Sequence, residues 1–212
     1  MDKSAIRHIY QITHLDNIPH ILTYGIESPH SCDNSSKYIT IGDKSLIECR
    51  NKSKIPVNDK TINLGDFIPF YFGYRMPMLY VIQHGGNCVE KAVKAENIVY
   101  LTCCIQDFVD RKFPFYFSDG HGTNKLSIFY DSVSIGRIND IVDLAAVWST
   151  VWSGENIDRD LKRRKQAEFI VGESIPPDMI RYFGCYNEQV KQKLLSFGVK
   201  EEQIFVAPEA YY

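Results

Sequence analysis

Transfer chemistry needs a carboxylate held where positive charge develops, and one carboxylate in this chain stands out. Glu168 lies in Lys165-Gln166-Ala167-Glu168-Phe169-Ile170-Val171, at the head of an apolar run with strand character. A carboxylate there is either an exposed residue on a sheet edge or a group held in a cleft. In a cleft it would bind a sugar hydroxyl and stabilise an oxocarbenium-like transition state. Arg50, in Leu46-Ile47-Glu48-Cys49-Arg50-Asn51, is either a surface arginine or a fork that clamps a diphosphate or acts on an acceptor base. Thr13 and His14 close an apolar stretch and are a polar strand end or a hydrogen-bonding edge for a ribose or an amide. Tyr71, Met78 and Tyr80 are core, or the wall of a flat-ring pocket. His121 sits in the turn Ser118-Asp119-Gly120-His121-Gly122, within reach of a cleft.

Other chemistries find no support. No glycine-rich GxGxxG follows a strand, so a Rossmann dinucleotide site is unsupported, and no Walker, HExxH or GxSxG motif occurs. The cysteines (Cys32, Cys49, Cys88, Cys103, Cys104 and Cys185) form no CxxC pair or zinc-ribbon spacing, and reduced thiols are expected. The formal net charge of −2 argues against a protein that coats nucleic acid nonspecifically. It leaves room for a local basic groove. Two clusters would supply one, Arg50-Asn51-Lys52-Ser53-Lys54 and Lys162-Arg163-Arg164-Lys165, unless each is a solvated face. Met1 to Tyr10 shows no apolar signal core, and no apolar run reaches the roughly 18 residues of a membrane span, so a cytoplasmic protein without membrane contact is expected.

The elements that must position these groups recur from end to end, which predicts one domain over 1–212. Strands are expected over 9–13, 67–72, 98–104, 113–117, 167–171 and 204–206. The run 78–82 reads as a strand or a helix. Helices are expected after Asp16 or Asn17 up to Gly25, weakly over 45–51, near 106–112, over 140–152, and over 188–197 capped by Asn187. Residues 27–43 read as a long irregular loop and 52–65 as polar and turn-rich. Many strands with short helices predict an α+β fold with a largely antiparallel sheet.

Taken in order, several segments resemble the DarT family of DNA ADP-ribosyltransferase toxins. They are Ile9-Tyr10-Gln11-Ile12-Thr13-His14-Leu15-Asp16-Asn17-Ile18, Glu48-Cys49-Arg50-Asn51-Lys52-Ser53-Lys54-Ile55-Pro56, Ile68-Pro69-Phe70-Tyr71-Phe72, Met76-Pro77-Met78-Leu79-Tyr80, Phe117-Ser118-Asp119-Gly120-His121-Gly122, the Glu168 segment and the closing Tyr211-Tyr212. The resemblance implies an ADP-ribosyltransferase-like split, mostly antiparallel sheet with surrounding helices. It implies NAD+ as co-substrate in the cleft and no metal. It makes Glu168 the catalytic glutamate and Arg50 an arginine that contacts NAD+ and prepares the acceptor. Gln11, Thr13, His14, Tyr71, Met78 and Tyr80 would line the NAD+ site. Tyr38, His121, Lys52 and Lys54 would face DNA. The implied reaction moves ADP-ribose onto a thymine or guanine of single-stranded DNA, whose bases enter a cleft without the cost of flipping. The implied partner is an antitoxin with ADP-ribosyl-hydrolase activity, and a monomer is expected. The chain departs from the family pattern at Gln11, where the family has His: Gln donates and accepts hydrogen bonds but carries no charge.

Two other readings compete: the same transfer onto RNA or protein, and a module of this fold that binds NAD or nucleic acid without turnover. A panel of acceptors with labelled NAD+ separates the first, and NAD+ binding without hydrolysis or transfer would favour the second.

Overall fold

The computed structural model describes residues 5–29, 31, 38–86, 89 and 91–212. Met1–Ser4 of the N-terminal reading, residues 30 and 32–37 of the expected 27–43 loop, and the cysteines Cys32 and Cys88 lie outside them.

The architecture grows from β1 (His8–His14), the hub of an eight-stranded sheet. On one side β1 pairs along its length with the largely apolar β5 (Ile98–Cys104), antiparallel. On the other it meets β4 (Ile68–Tyr71) through one residue pair, Tyr10 opposite Tyr71, and the two strands then part. That parting is the split of the sheet. Beyond β4 come β8 (Glu168–Val171), β6 (Phe115–Ser118) and β7 (Phe129–Asp131); beyond β5 come β9 (Ile180–Cys185) and β10 (Ile204–Val206). All pairings are antiparallel except β9 with β10. The expected α+β class holds.

One face of the sheet buries Ile9, Leu101, Phe70, Phe117 and Phe169 against α1 (Ile18–Tyr24), α4 (Ile105–Asp110) and α8 (Glu188–Ser196). Around Phe169 the rings of Phe72, Phe108 and Phe115 pack at 4.7–6.4 Å, spacings at which aromatic pairs add to area burial. The other face buries Tyr10, Ile98 and Tyr100 against α3 (Pro77–His84). The run 78–82 is therefore helical. Pro77 stands in the first turn of α3, and Leu79 and Ile82, three apart, form its buried stripe.

Three expectations need correction. The segment 52–65 holds the hairpin of β2 (Lys54–Val57) and β3 (Lys60–Asn63), turned by Asn58 with φ at 52°, a left-handed conformation that Asn tolerates better than most residues. The helix expected over 140–152 is broken into α5 (Ile138–Ile141) and α6 (Leu144–Trp148), because the Asp143 carboxylate caps a new helix by accepting from the Ala146 N–H. Ser118 closes β6 rather than opening the turn after it. Strands β7 and β9 were not anticipated. No helix among the described residues is long and apolar enough to cross a membrane.

Candidate active site

Glu168 opens β8, an inner strand between β4 and β6, so it is not an edge residue. It is 1 % exposed. A bare carboxylate at that depth would cost several kcal/mol, and the surrounding groups answer that cost atom by atom. The Arg50 Nη1 donates to Oε2 at 2.7 Å. The Gly122 backbone N–H donates to Oε1 at 2.9 Å. The Glu168 N–H in turn donates to the Ser118 Oγ at 3.1 Å, and that hydroxyl donates to the Gly120 carbonyl at 2.6 Å. One buried serine thus ties the turn to the strand it serves.

Gly122 works through the absence of a side chain. A Cβ there would lie 2.7 Å from Oε2 and 3.0 Å from Oε1 of Glu168. The turn is held in register from outside by α7 (Leu161–Lys165): the His121 N–H donates to the Arg163 carbonyl at 3.0 Å, and the Arg163 Nη1 donates to Asp119 at 3.0 Å.

Arg50 comes from α2 (Lys44–Lys52), which begins where the Asp43 carboxylate accepts from the N–H groups of Ser45 and Leu46. The last turn of α2 is seated on Gly65, where a Cβ would fall 2.6 Å from the Asn51 Cα. Arg50 is 9 % exposed, and its Nη2 is buried with no partner among the described residues. A buried donor left unpaired marks a place for an acceptor atom of a ligand. Tyr71, opposite Glu168 across the β4–β8 pair, stays protonated: burial, then the nearby carboxylate, push its hydroxyl pKa up. His121 is held below the usual histidine value by burial, against the opposing pull of Glu168, so its imidazole is neutral at physiological pH.

The remaining predicted residues fall into separate places. Gln11 lines a cavity of about 450 Å³ in the split between β1 and β4, with Glu27, Tyr38, Ile68 and Pro69. Its Nε2 reaches the Pro69 carbonyl at 3.4 Å, and its Oε1 is buried without a partner among the described residues. Thr13 is buried behind this cavity: its Oγ1 lies 3.3 Å from the Tyr38 hydroxyl and accepts from the Asn17 Nδ2 at 3.0 Å. The Asn17 amide also takes both backbone groups of Ile39, so it clips residues 38 and 39 to the end of β1 instead of capping α1. His14 stands apart, in a pocket of about 280 Å³ with Lys44 and Asn97, its Nδ1 accepting from the Asp16 N–H. Met78 and His121 share a third cavity, of about 560 Å³. Tyr80 turns outward at 41 % exposure and stacks on His84 at 4.1 Å. Lys52 and Lys54 are exposed, and line none of these three cavities.

Sequence reasoning thus named the carboxylate and the arginine and missed what aims them. Gly122 acts through its backbone, and Ser118, Arg163 and Asn17 through hydrogen bonds that residue type alone does not announce. The alternation Gly120-His121-Gly122 was the available signal, since paired glycines in a turn mark close backbone approach.

Comparison with known proteins bears on this geometry. The family model described as "ssDNA thymidine ADP-ribosyltransferase, DarT" matches residues 10–212. A DNA ADP-ribosyl transferase of Thermus sp. (strain 2.9) is 31 % identical over 188 residues, covering 88 % of this chain and 85 % of the relative. The solved structure of Thermus sp. 2.9 DarT in complex with ADP-ribosylated ssDNA superimposes with a TM-score of 0.84 at 27 % identity, over 98 % of this chain and 97 % of that one. The same protein in complex with NAD+ gives 0.78 at 25 % identity, over 98 % of each chain. A DNA ADP-ribosyl transferase–DNA ADP-ribosyl glycohydrolase fusion protein of Thermosipho africanus is 24 % identical over 204 residues, which is 96 % of this chain and 48 % of the fusion.

Proposed function

The chain belongs to the DarT family and is an NAD-dependent DNA ADP-ribosyltransferase, and on that premise we propose that it moves ADP-ribose from NAD+ onto a thymine or guanine base of single-stranded DNA and releases nicotinamide. The observation that carries this reading is the buried pair of Arg50 and Glu168, drawn together at 2.7 Å from positions 118 residues apart. The chemistry follows from charge. The bond from the ribose C1′ to the nicotinamide nitrogen breaks, and its electron pair stays with nicotinamide, neutralising the pyridinium. Positive charge grows on the ribose carbon as a base nitrogen attacks it. Glu168, fixed through both oxygens, stabilises that charge and holds a ribose hydroxyl. The attacking N–H must lose a proton, and neutral His121 is an acceptor of the right kind.

Two buried atoms left unpaired among the described residues would meet NAD+. The buried Oε1 of Gln11 offers an acceptor to an amide or amine N–H, and the Nη2 of Arg50 offers a donor to a phosphate or a hydroxyl. Thr13, behind the Gln11 cavity, Tyr71, opposite Glu168, and Met78, in the cavity with His121, would complete the NAD+ site, with His14 and Tyr80 as outlying contacts. Tyr38, Lys52 and Lys54 would contact the DNA, and residues 1–212 act as one domain. The fusion relative supports a glycohydrolase partner that reverses the modification, with this chain as the toxin of the pair.

The test is direct. The protein is incubated with NAD+ and four single-stranded oligonucleotides, each lacking one base type, and the DNA is weighed by mass spectrometry. The expected result is a gain of one ADP-ribose that vanishes when one base type is absent. No gain on any oligonucleotide, with folded protein and bound NAD+, would overturn the reading in favour of RNA, protein or binding alone.

A further inference from the structure

Met78 and His121 belong to the trench of about 560 Å³, whose lining also includes Gln166; His121 and Gln166 are chain neighbours of Gly122 and Ala167, beside the Arg50–Glu168 pair. Its far walls carry Leu126, Trp152, Arg159 and Lys162. The basic run 162–165 is sorted here by what each member touches. Arg163 is tied to Asp119 and Asp160, Arg164 to Asp143, Asp158 and Asp160, and Lys165 is buried on the Val147 carbonyl. Lys162 and Arg159 have no carboxylate partner among the described residues, and both line the trench. The acids on the same walls are engaged: Asp160 with the two arginines, Asp43 in capping α2. The unpaired charge of the trench is therefore positive.

Trp152 supplies a flat plate. Its Nε1 donates to the Tyr212 hydroxyl at 2.9 Å, and that hydroxyl donates to the Arg75 carbonyl at 2.7 Å. Tyr80 meets the ring edge-on at 5.9 Å, and the Lys162 Nζ lies 5.2 Å from its centroid. The plate is thus held in place before any ligand arrives. Leu126, in the same trench, is an apolar side chain 73 % exposed. A fixed aromatic, an exposed aliphatic and unpaired cations in one groove are the means by which single-stranded nucleic acid is held: bases stack and phosphates meet the charge.

We propose that this trench seats the nucleotide next to the acceptor, with its base on Trp152 and against Leu126 and its phosphate on Lys162 and Arg159. The proposal rests on the DNA-transfer reading and deepens it: Trp152 becomes a residue that sets which sequence around the acceptor is preferred, through stacking strength rather than base-edge hydrogen bonds.

The test measures binding of a fluorescently labelled single-stranded oligonucleotide by anisotropy, without NAD+, alongside transfer with NAD+. Trp152→Ala should weaken binding about ten-fold, as loss of one stacked base implies. Trp152→Phe, which keeps a ring but loses the bond to Tyr212, should retain most of the affinity. It guards against a folding artefact. A series of oligonucleotides with one abasic position each should contain a site beside the acceptor whose removal weakens wild type about as much as Trp152→Ala does, and weakens that variant no further. Folded Trp152→Ala that binds within two-fold of wild type, or an abasic series that affects both proteins alike, would overturn the trench. If no oligonucleotide is modified yet binding depends on Trp152 as described, the reaction reading fails and the trench stands. Tighter, equally Trp152-dependent binding of the matching oligoribonucleotide would move the trench to RNA and overturn the DNA assignment.

Discussion

The wall that holds Glu168 and the trench beside it share α7 but follow opposite rules. In the wall, each polar group touching the carboxylate is buried and has a stated partner, apart from the Nη2 of Arg50. In the trench, Lys162 and Arg159 lack acid partners among the described residues and a leucine lies open. The difference teaches where function and stability separate. A group fixed before reaction stabilises developing charge without reorganising, and fixing it couples the reaction to the fold. A group left without an intramolecular partner does little for the fold and awaits a ligand. Substitutions in the wall should therefore disturb both properties, and substitutions in the trench only one.

The largest expected effect comes from Arg50→Ala. It leaves the Glu168 charge buried with the Gly122 N–H as its remaining side-chain contact. Removing one partner of a buried pair costs about 3–5 kcal/mol. Urea denaturation should show a loss of that size, together with loss of transfer. A stability change under 1 kcal/mol would mean that water reaches Glu168 freely, and the contrast between wall and trench would break. Next is Glu168→Gln, nearly isosteric. Losing the charge that faces the ribose cation should lower transfer by roughly 10²–10³-fold while the fold persists. Full activity in the folded variant would remove Glu168 from catalysis.

These two residues also mark how much of the site was legible in the sequence. Glu168 and Arg50 stood out by residue type, but a separation of 118 residues carries no geometric signal. The ordered resemblance of segments along the chain implied one site for both, and their hydrogen bond is seen in the structure. The strands of the apolar core were legible because β5 and β8 are almost wholly buried and read as mostly apolar runs, interrupted by Thr102 and headed by Glu168 respectively. α3 was ambiguous because its outward residue Tyr80 is itself aromatic, packed on Trp152 and Tyr212, so the helical period is masked. The hairpin β2–β3 was read as loop because it is polar: its strands are mostly exposed, with Val57 as the buried member. The trench drew on parts of the chain with no shared pattern. The four basic residues 162–165 look alike in sequence, and only their partners tell them apart.

Lys165 tests that sorting by pH. Burial, with help from Arg75, lowers its pKa from the ordinary 10.5 to about 8. The folded chain therefore gives up this proton near pH 8, whereas the unfolded chain keeps it to about 10.5. Between those values the unfolded state binds more protons, so stability rises with pH; below pH 8 the penalty is constant. Lys165→Met lacks the titration. The stability of wild type minus that of Lys165→Met should increase from pH 8 to pH 10, by at most about 1.4 kcal/mol per pH unit. A difference that stays flat or falls would show that the ammonium is solvated and that Lys165 belongs with Lys162. A smaller effect is expected from Gly122→Ala. Its methyl group must displace the Glu168 carboxylate or the turn, since it would approach within 2.7 Å. Overpacking of this kind costs about 1–3 kcal/mol, and transfer should fall at least as far in free-energy terms because the displaced group is the reacting one. Normal transfer with reduced stability would separate the turn from the chemistry.

The smallest expected effect on the fold, and the sharpest on the comparison, comes from Lys162→Ala. Lys162 is exposed and has no acid partner among the described residues, so unfolding should change by no more than about 0.5 kcal/mol. Its effect should appear in salt dependence instead. Each phosphate contact on a single strand contributes about 0.7 to the slope of log affinity against log salt concentration. Titrating the labelled oligonucleotide at several salt concentrations should give a slope lower by about that amount in the variant, with the two proteins converging at high salt. Arg163→Ala is the matched control: Arg163 lines the same trench, next to Lys162 on α7. Its charge is already taken by Asp119 and Asp160, so it should lose stability with no matching change in slope. If the two variants exchanged these behaviours, the charge that DNA meets would lie on the wall, and the trench would be an ordinary solvated face.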